Sequence, residues 1–267
     1  SPDGRRIAYG AYVSDTSALA DLWSYDLVLG NDQRLTSGGS DGKDYNDPVW
    51  SPDGRRLALS ASDSTALSAK NLYVMPGDAS GPPALLLERA GNQWPTDWTR
   101  DGREILFTDV PTNGSRSIWV VPIAQPAQPR PVVQSRFNAS GARLSPDGRW
   151  LAFDSDETGQ LEVYVQPFPG PGRRLRVSSA GGQMPVWSRS GRELYFWSGG
   201  RIVAVSMTAG TDLAIGAPRP LFAANLADGT LAQYDAHPDG SRFVTSEDAV
   251  GSIRLVVSIN GLPALQR

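Results

Sequence analysis

The chain has 267 residues, a net charge of -3 and 40% hydrophobic content with 9% aromatics, which excludes a disordered polymer and gives a phosphate-backbone partner no global electrostatic support. It contains no cysteine, so a disulfide framework, a thiol nucleophile and a thiolate metal site are excluded, and no apolar run reaches the roughly 18 residues of a membrane span. Gly 28 and Pro 21 suit a turn-rich all-β protein, read here as one domain over 1–267.

A turn opens the sequence as SPDGRR at 1–6. It returns as SPDGRR at 51–56, TRDGRE at 99–104, SPDGRW at 145–150, SRSGRE at 188–193 and HPDGSR at 237–242. The starts lie 50, 48, 46, 43 and 49 residues apart, a period that signals stacked supersecondary units. Pro52 sets φ for the first central position of a type I turn, Asp53 suits the second, and Gly54 takes the left-handed conformation that closes a hairpin. The hydroxyl of Ser51 can bond back to the backbone.

The strands follow in order. After the first turn come LWSYDLVL at 22–29 and QRLTS at 33–37. The second unit reads DPVW at 47–50, RLALSAS from Arg56, NLYVMP at 71–76 and ALLLE at 84–88; the third reads PTDW at 95–98, EILFTDV from Glu104 and SIWVVPI at 117–123. WLAFDSD from Trp150, VYVQPF at 163–168 and RRLRVSS at 173–179 make the fourth, and MPVW at 184–187, ELYFWSG from Glu193 and RIVAVSM at 201–207 the fifth. The sixth has AQYDA at 232–236, RFVTSED from Arg242, IRLVVSI at 253–259 and LPALQR at 262–267.

Four antiparallel strands per repeat without helical periodicity predict an all-β, six-bladed β-propeller of four-stranded blades. The blades are expected near 1–45, 46–93, 94–139, 140–182, 183–231 and 232–267. Ser1 already stands in a turn, so the first blade is expected to lack its innermost strand. The reading is a fragment of a longer protein whose preceding residues supply that strand, with closure by the C-terminal tail as the other route.

The SPDGRR turns, each followed by strands such as RLALSAS and NLYVMP, resemble the TolB-type propeller repeat. Over 145–267 the order of WLAFDSDETGQLEVYVQPF, MPVWSRSGRELYF, RIVAVSM and YDAHPDGSRFVTSED is similar to the C-terminal propeller of bacterial membrane-bound serine/threonine protein kinases. That resemblance implies a signalling protein, a location on the periplasmic or extracellular side of a bacterial membrane, and a tether through a missing N-terminal segment. The kinase motifs themselves are absent, so no phosphoryl transfer is assigned to these residues. Ser190 replaces the usual turn Asp, and His237 the usual Ser.

No catalytic residue is assigned. His237 is the only histidine, which disfavours an imidazole metal site, and no GxSxG nucleophile elbow occurs. The recurring Asp3, Asp53, Asp101, Asp147 and Asp239 are explained by the turn, and Trp50, Trp98 and Trp187 by packing between blades. No cofactor or metal is assigned; calcium held by Asp44, Asp47 and Asp97 is the one cation considered.

Function is expected where loops converge at the channel mouth opposite the turns. The loops at 38–47, 89–97, 134–141, 179–185 and 225–235 supply Asp44, Tyr45, Asn46, Asn92, Gln93, Trp94, Arg136, Phe137, Gln183 and Tyr234 as ligand-binding candidates. Aromatics beside amides and an Arg suit a protein, a peptide or a small-molecule ligand such as a sugar or anion. The favoured reading is a non-catalytic binding or sensor propeller; the alternative is a propeller enzyme of lyase or lactonase type using a channel-bound metal.

Overall fold

The computed structural model describes residues 1–12, 19–38, 42–63, 69–170, 172–210, 212–226, 233–249, 252–259 and 262–265. The chain divides into two compact units, Ser1–Arg136 and Phe137–Arg267.

Every repeat starts on one hydrogen-bonded turn. Ser51 N donates to Arg56 O at 2.9 Å and Gly54 N to Ser51 O at 2.9 Å, which closes the hairpin with Gly54 at φ 68°. The Ser51 hydroxyl donates to Asp53 Oδ1 at 2.6 Å and accepts from Arg56 N at 2.9 Å, while Asp53 Oδ1 also accepts from Arg55 N at 3.1 Å. Thr99 with Asp101 and Ser145 with Asp147 repeat the set. Where Ser190 stands for Asp, the bonds lengthen to 3.2 and 3.3 Å, and where His237 stands for Ser, its Nδ1 accepts from Asp239 N at 3.3 Å. The i to i+3 backbone bond survives in both, at 2.9 and 2.8 Å.

In the first unit, β1 (Arg6–Tyr12), β2 (Ala20–Asp26) and β3 (Asn31–Arg34) form a three-stranded antiparallel sheet. A blade of β4 (Lys43–Trp50), β5 (Arg56–Asp63), β6 (Asn71–Pro76) and β7 (Ala84–Leu87) follows, then one of β8 (Asn92–Trp98), β9 (Glu104–Val110), β10 (Ser117–Pro122) and β11 (Arg130–Val133). In the second unit, the blades are β12 (Ala139–Leu144), β13 (Trp150–Ser155), β14 (Glu162–Pro167) and β15 (Leu175–Arg176); β16 (Gln183–Trp187), β17 (Glu193–Ser198), β18 (Arg201–Ala209) and β19 (Leu213–Ala223); and β20 (Tyr234–Ala236), β21 (Arg242–Ala249), β22 (Ser252–Ile259) and β23 (Leu262–Leu265).

The expected six-bladed propeller is corrected by this topology. Among the described residues five four-stranded blades are built, not six; the sheet of β1–β3 has three strands, as expected for a first blade without its innermost strand. The physical reason is that the turn at 1–6 enters the sheet directly at β1, the strand that in each blade follows the turn and pairs there with an inner strand.

The cores lie between successive sheets. In the first unit Leu22, Tyr45, Leu57, Leu59 and Met75 form one cluster and Ala58, Leu72, Trp98, Ile105 and Phe107 another. Arginine side chains of one sheet bridge to the next: Arg6 lies 4.5 Å from the Trp50 ring centroid, and Arg56 lies 4.9 Å from that of Trp98 while donating to Gly102 O at 3.0 Å. In the second unit Trp150, Val163, Trp187 and Val205 share one cluster and Tyr195, Phe222, Tyr234 and Phe243 another.

Candidate functional site

The inner strands that carry most of the predicted residues share a distortion. β4, β8, β12 and β16 each shift register against the strand after the turn, between Asn46 and Val49, Pro95 and Asp97, Ser140 and Arg143, and Gln183 and Val186. Three of these bulges coincide with X-Pro pairs, Asp47-Pro48, Trp94-Pro95 and Met184-Pro185, since a proline inside a sheet withdraws a ladder donor and settles at a bulge. Asp47 and Met184 take φ of 55° and 56°, left-handed values that are uncommon outside glycine, and Gly141 takes 65° at the corresponding place in β12. A bulge bends the strand and re-aims its side chains.

In the first unit the candidates form a braced set. Asp44 accepts from Ala20 N at 2.8 Å and pairs with Lys70 Nζ at 3.2 Å. The main chain of Lys70 reaches the next blade, donating to Asn92 Oδ1 at 2.9 Å and accepting from Gln93 N at 2.7 Å. Gln93 is fully buried, and its Nε2 donates to Gly91 O at 3.2 Å and Asp109 Oδ1 at 3.3 Å. Tyr45 is a core residue. Asn46 is half-buried and its Nδ2 meets no hydrogen-bond partner. The indole of Trp94 is half-buried with the Arg116 guanidinium 5.5 Å from its centroid, and in the same blade Arg89 lies 4.2 Å from the Trp119 centroid. Arg136 is exposed, and its carbonyl accepts from the Ser115 hydroxyl at 2.6 Å.

Asp47 carries an unusual carboxyl. Burial pushes it above the ordinary carboxylate value, against a 2.6 Å bond from the Ser60 hydroxyl and the charge of Lys70 that pull it down. Asp97 is turned inward onto Trp98 N and paired with Arg100 at 2.7 Å. Among the described residues no three Asp, Glu or His side chains stand close enough to share a metal ion.

In the second unit the Tyr234 hydroxyl donates to Met184 O at 2.7 Å, and burial raises its phenol well above the usual value. Met184 N donates to Asp154 Oδ2 at 3.1 Å, and Asp154 Oδ1 accepts from the Ser140 hydroxyl at 2.6 Å. Gln183 and Phe137 are half-buried. A Cβ on Gly141 would stand 2.7 Å from Asp154 Oδ2, so the glycine makes room for the carboxylate. Asp154 thus repeats the carboxylate–serine pair of Asp47 and Ser60 with the two strands exchanged.

The structure therefore joins Asp44, Asn92 and Gln93 through Lys70, and Gln183–Met184 to Tyr234, while Tyr45 and Tyr234 serve the core. Sequence reasoning missed Lys70, Arg89, Arg116 and Asp154. The recurring X-Pro pairs were the available signal for the bulges. Grooves of about 650 and 750 Å³ lie at the turns, one beside Arg56, Gly102 and Glu104 and one beside Trp150, Trp187 and Ser190, and none of the ten candidates lines either.

No family model matches the chain. TolB of the Tol-Pal system from Anaeromyxobacter dehalogenans is 34% identical over 111 residues, 41% of this chain and 25% of that protein. An uncharacterized protein of Agrobacterium fabrum is 28% identical over 154 residues, 57% of this chain and 50% of its own length. The chain thus spans half or less of these relatives. Among solved structures, TolB from Acinetobacter baumannii superposes with a TM-score of 0.77 over the whole chain and 65% of its own, at 20% identity. An oligogalacturonate lyase from Vibrio parahaemolyticus gives 0.64 over 97% of this chain and 75% of its own, at 12% identity. Likeness at such identities concerns the fold, which is a TolB-like all-β propeller. The expected TolB-type repeat agrees with this likeness, whereas the expected six-bladed form is corrected: among the described residues the four-stranded blades number five.

Proposed function

We propose that the chain is a non-catalytic binding propeller that engages a protein or peptide through the face where the inner strands begin, on the periplasmic or extracellular side of a bacterial membrane. The observation that carries this is the pair of arginine–tryptophan stacks in the blade of β8–β11, Arg116 on Trp94 and Arg89 on Trp119. Trp and Arg are enriched among the side chains that dominate protein interfaces, because each presents a large flat area with a polar handle, and stacking on an indole restrains a guanidinium before a partner arrives. Around them the ionisable groups are held in ion pairs and backbone bonds, as Asp44 with Lys70 and Asp109 with Arg89, an arrangement that suits a fixed recognition surface. The TolB relatives are by name parts of the Tol-Pal system, which supports a role within an assembly.

Isothermal titration against calcium, a panel of sugars and a peptide library tests it. Peptide heats that vanish in Trp94→Ala and Arg116→Ala, with thermal stability retained, are expected. Metal-dependent turnover of a sugar that is lost in Asp97→Ala would overturn the reading.

A further inference from the structure

The two grooves at the turns lie at equivalent junctions, each where the turn of one blade meets the next blade, and they are finished differently. In the first unit Arg56 closes the junction: its guanidinium lies 4.9 Å from the Trp98 centroid and donates to Gly102 O at 3.0 Å. In the second unit Trp150, at the end of SPDGRW, holds the place of Arg56, and Trp187 that of Trp98. Trp187 is bonded as Trp98 is, its indole N–H donating to Arg143 O at 3.1 Å where Trp98 donates to Val49 O at 3.0 Å. Trp150 is 8% exposed, and its Nε1 is buried without a hydrogen-bond partner. A guanidinium that reaches a carbonyl is thus exchanged for an indole that reaches none, beside a groove of about 750 Å³.

The turn on the far side of this groove is altered as well. In the third turn Arg103 stands 3.8 Å from the Asp101 carboxylate. In the fifth, Ser190 takes the place of that aspartate, and Arg192, exposed where it lines the groove, enters no ion pair among the described residues. Asp147, the other charged residue of the lining, is already engaged: its Oδ1 accepts from the Ser145 hydroxyl at 2.5 Å and from Arg149 N at 3.1 Å. Between these ends the lining is apolar and buried, made by Trp150, Trp187, Met207 and Leu213. One groove therefore combines an apolar floor, a buried donor that lacks an acceptor and a cation that lacks the counter-ion of its equivalent.

We infer that this groove binds a small organic acid with an apolar body, its carboxylate at Arg192, its body against Trp187, Met207 and Leu213, and an oxygen accepting from Trp150 Nε1. Each part of such a molecule answers one feature of the groove. The carboxylate supplies the counter-ion that Ser190 does not, through a charge-assisted bond stronger than a neutral one. An oxygen acceptor relieves an indole N–H whose burial without a partner is costly. The volume suits a small molecule, since ligand pockets are concave, mostly apolar and oriented by a few polar groups. The site shares no residue with the proposed peptide surface around Trp94 and Trp119, so the two readings stand or fall separately.

The probes are 3-phenylpropionate and hexanoate, with 3-phenylpropionamide as the neutral counterpart, titrated into the full nitrogen-15-labelled chain. The readout is the indole N–H resonance of Trp150, assigned by its loss in Trp150→Phe. A saturable shift of that resonance is expected with at least one of the acids, and the amide is expected to bind at least about fivefold more weakly than 3-phenylpropionate. Arg192→Gln, and Ser190→Asp, which restores the turn aspartate, change exposed positions and are expected to weaken the acid at least about fivefold while leaving the amide unchanged. Trp150→Phe, followed by calorimetry, is expected to weaken it about three- to tenfold. No saturable shift at Trp150 with either acid overturns the proposal, and so does a shift confined to other tryptophans. Equal binding of acid and amide, or acid binding unchanged in Arg192→Gln, overturns it too, because the cation would then play no part.

Discussion

The sheet of β1–β3 and the blade of β4–β7 begin on the same six residues, SPDGRR, and send the same arginine across to the next sheet, yet their second strands meet different surroundings. Leu57, Ala58 and Leu59 of β5 are fully buried, while Ile7, Ala8 and Tyr9 of β1 are half-buried and Tyr9 turns its hydroxyl out to Asp32 at 2.6 Å. The local turn chemistry is therefore independent of whether the blade is complete. Sealing the second strand is the work of the inner strand, which covers it with backbone and with side chains such as Tyr45 and Val49.

The strongest way to break this comparison is at the tryptophans. Trp98 is fully buried, bonded to Val49 O and covered by Arg56, so Trp98→Ala is expected to lower unfolding free energy by about 3–5 kcal/mol in denaturant titration. Trp50→Phe removes an N–H that has no acceptor and is expected to change stability by less than about 1 kcal/mol. Trp98→Phe sits between them, because it strands the Val49 carbonyl. Equal costs for the two Phe variants would mean that Trp50 finds an acceptor in solution and that the two regions are alike.

This contrast also marks what the sequence could reveal. The turns were legible because Ser51, Asp53 and Gly54 satisfy one another within six residues, and the strand order followed from their period. The missing inner strand of the first sheet was legible as well, because Ser1 already stands in a turn; what failed was the number of blades, since six turns were read as six blades and only five of the described sheets have four strands. Within the candidate site, Asn92 and Gln93 were identifiable as polar residues entering β8, but their tie to Lys70 was hidden. It depends on how closely one blade lies on the next, which alternation of apolar residues does not encode. Tyr45 and Tyr234 misled for the opposite reason: an aromatic next to polar loop residues reads as a binding surface, and here it is core.

A smaller effect separates the turns. Hydrogen bonds from the Ser51 hydroxyl and Arg55 N hold the Asp53 carboxyl below its ordinary value, and the Thr99 hydroxyl and Arg103 N do the same for Asp101. A carboxyl lowered in the folded state stabilises above its unfolded pKa and loses that contribution as pH falls through the folded one. Stability measured from pH 5 downward is thus expected to decline more gently in a double variant Asp53→Asn, Asp101→Asn than in the parent, since the lost contribution no longer titrates. Ser190 already stands at this position in the fifth turn, so Ser190→Asp is expected to steepen the decline. An unchanged acid limb in both variants would show the turn bonds to be too solvent-screened to matter.

The finest test lies in β4, the strand for which the first sheet has no counterpart. Asp47 combines a left-handed backbone with a carboxyl raised by burial, so its sign is opposite to that of the turn aspartates. Its unfavourable contribution is absent below the unfolded pKa and sets in as pH rises towards and through the folded one. Asn tolerates the same φ and can still accept from the Ser60 hydroxyl, so Asp47→Asn is expected to leave stability within about 1 kcal/mol of the parent at neutral pH, on the favourable side, with the difference closing as pH falls to 4. Asp47→Ala at φ 55° loses both the tolerance and the bond and is expected to destabilise at every pH. If Asn and Ala behave alike, the bulge owes nothing to the carboxyl–hydroxyl pair, and the inner strand holds its register through Pro48 and the Trp50 packing instead.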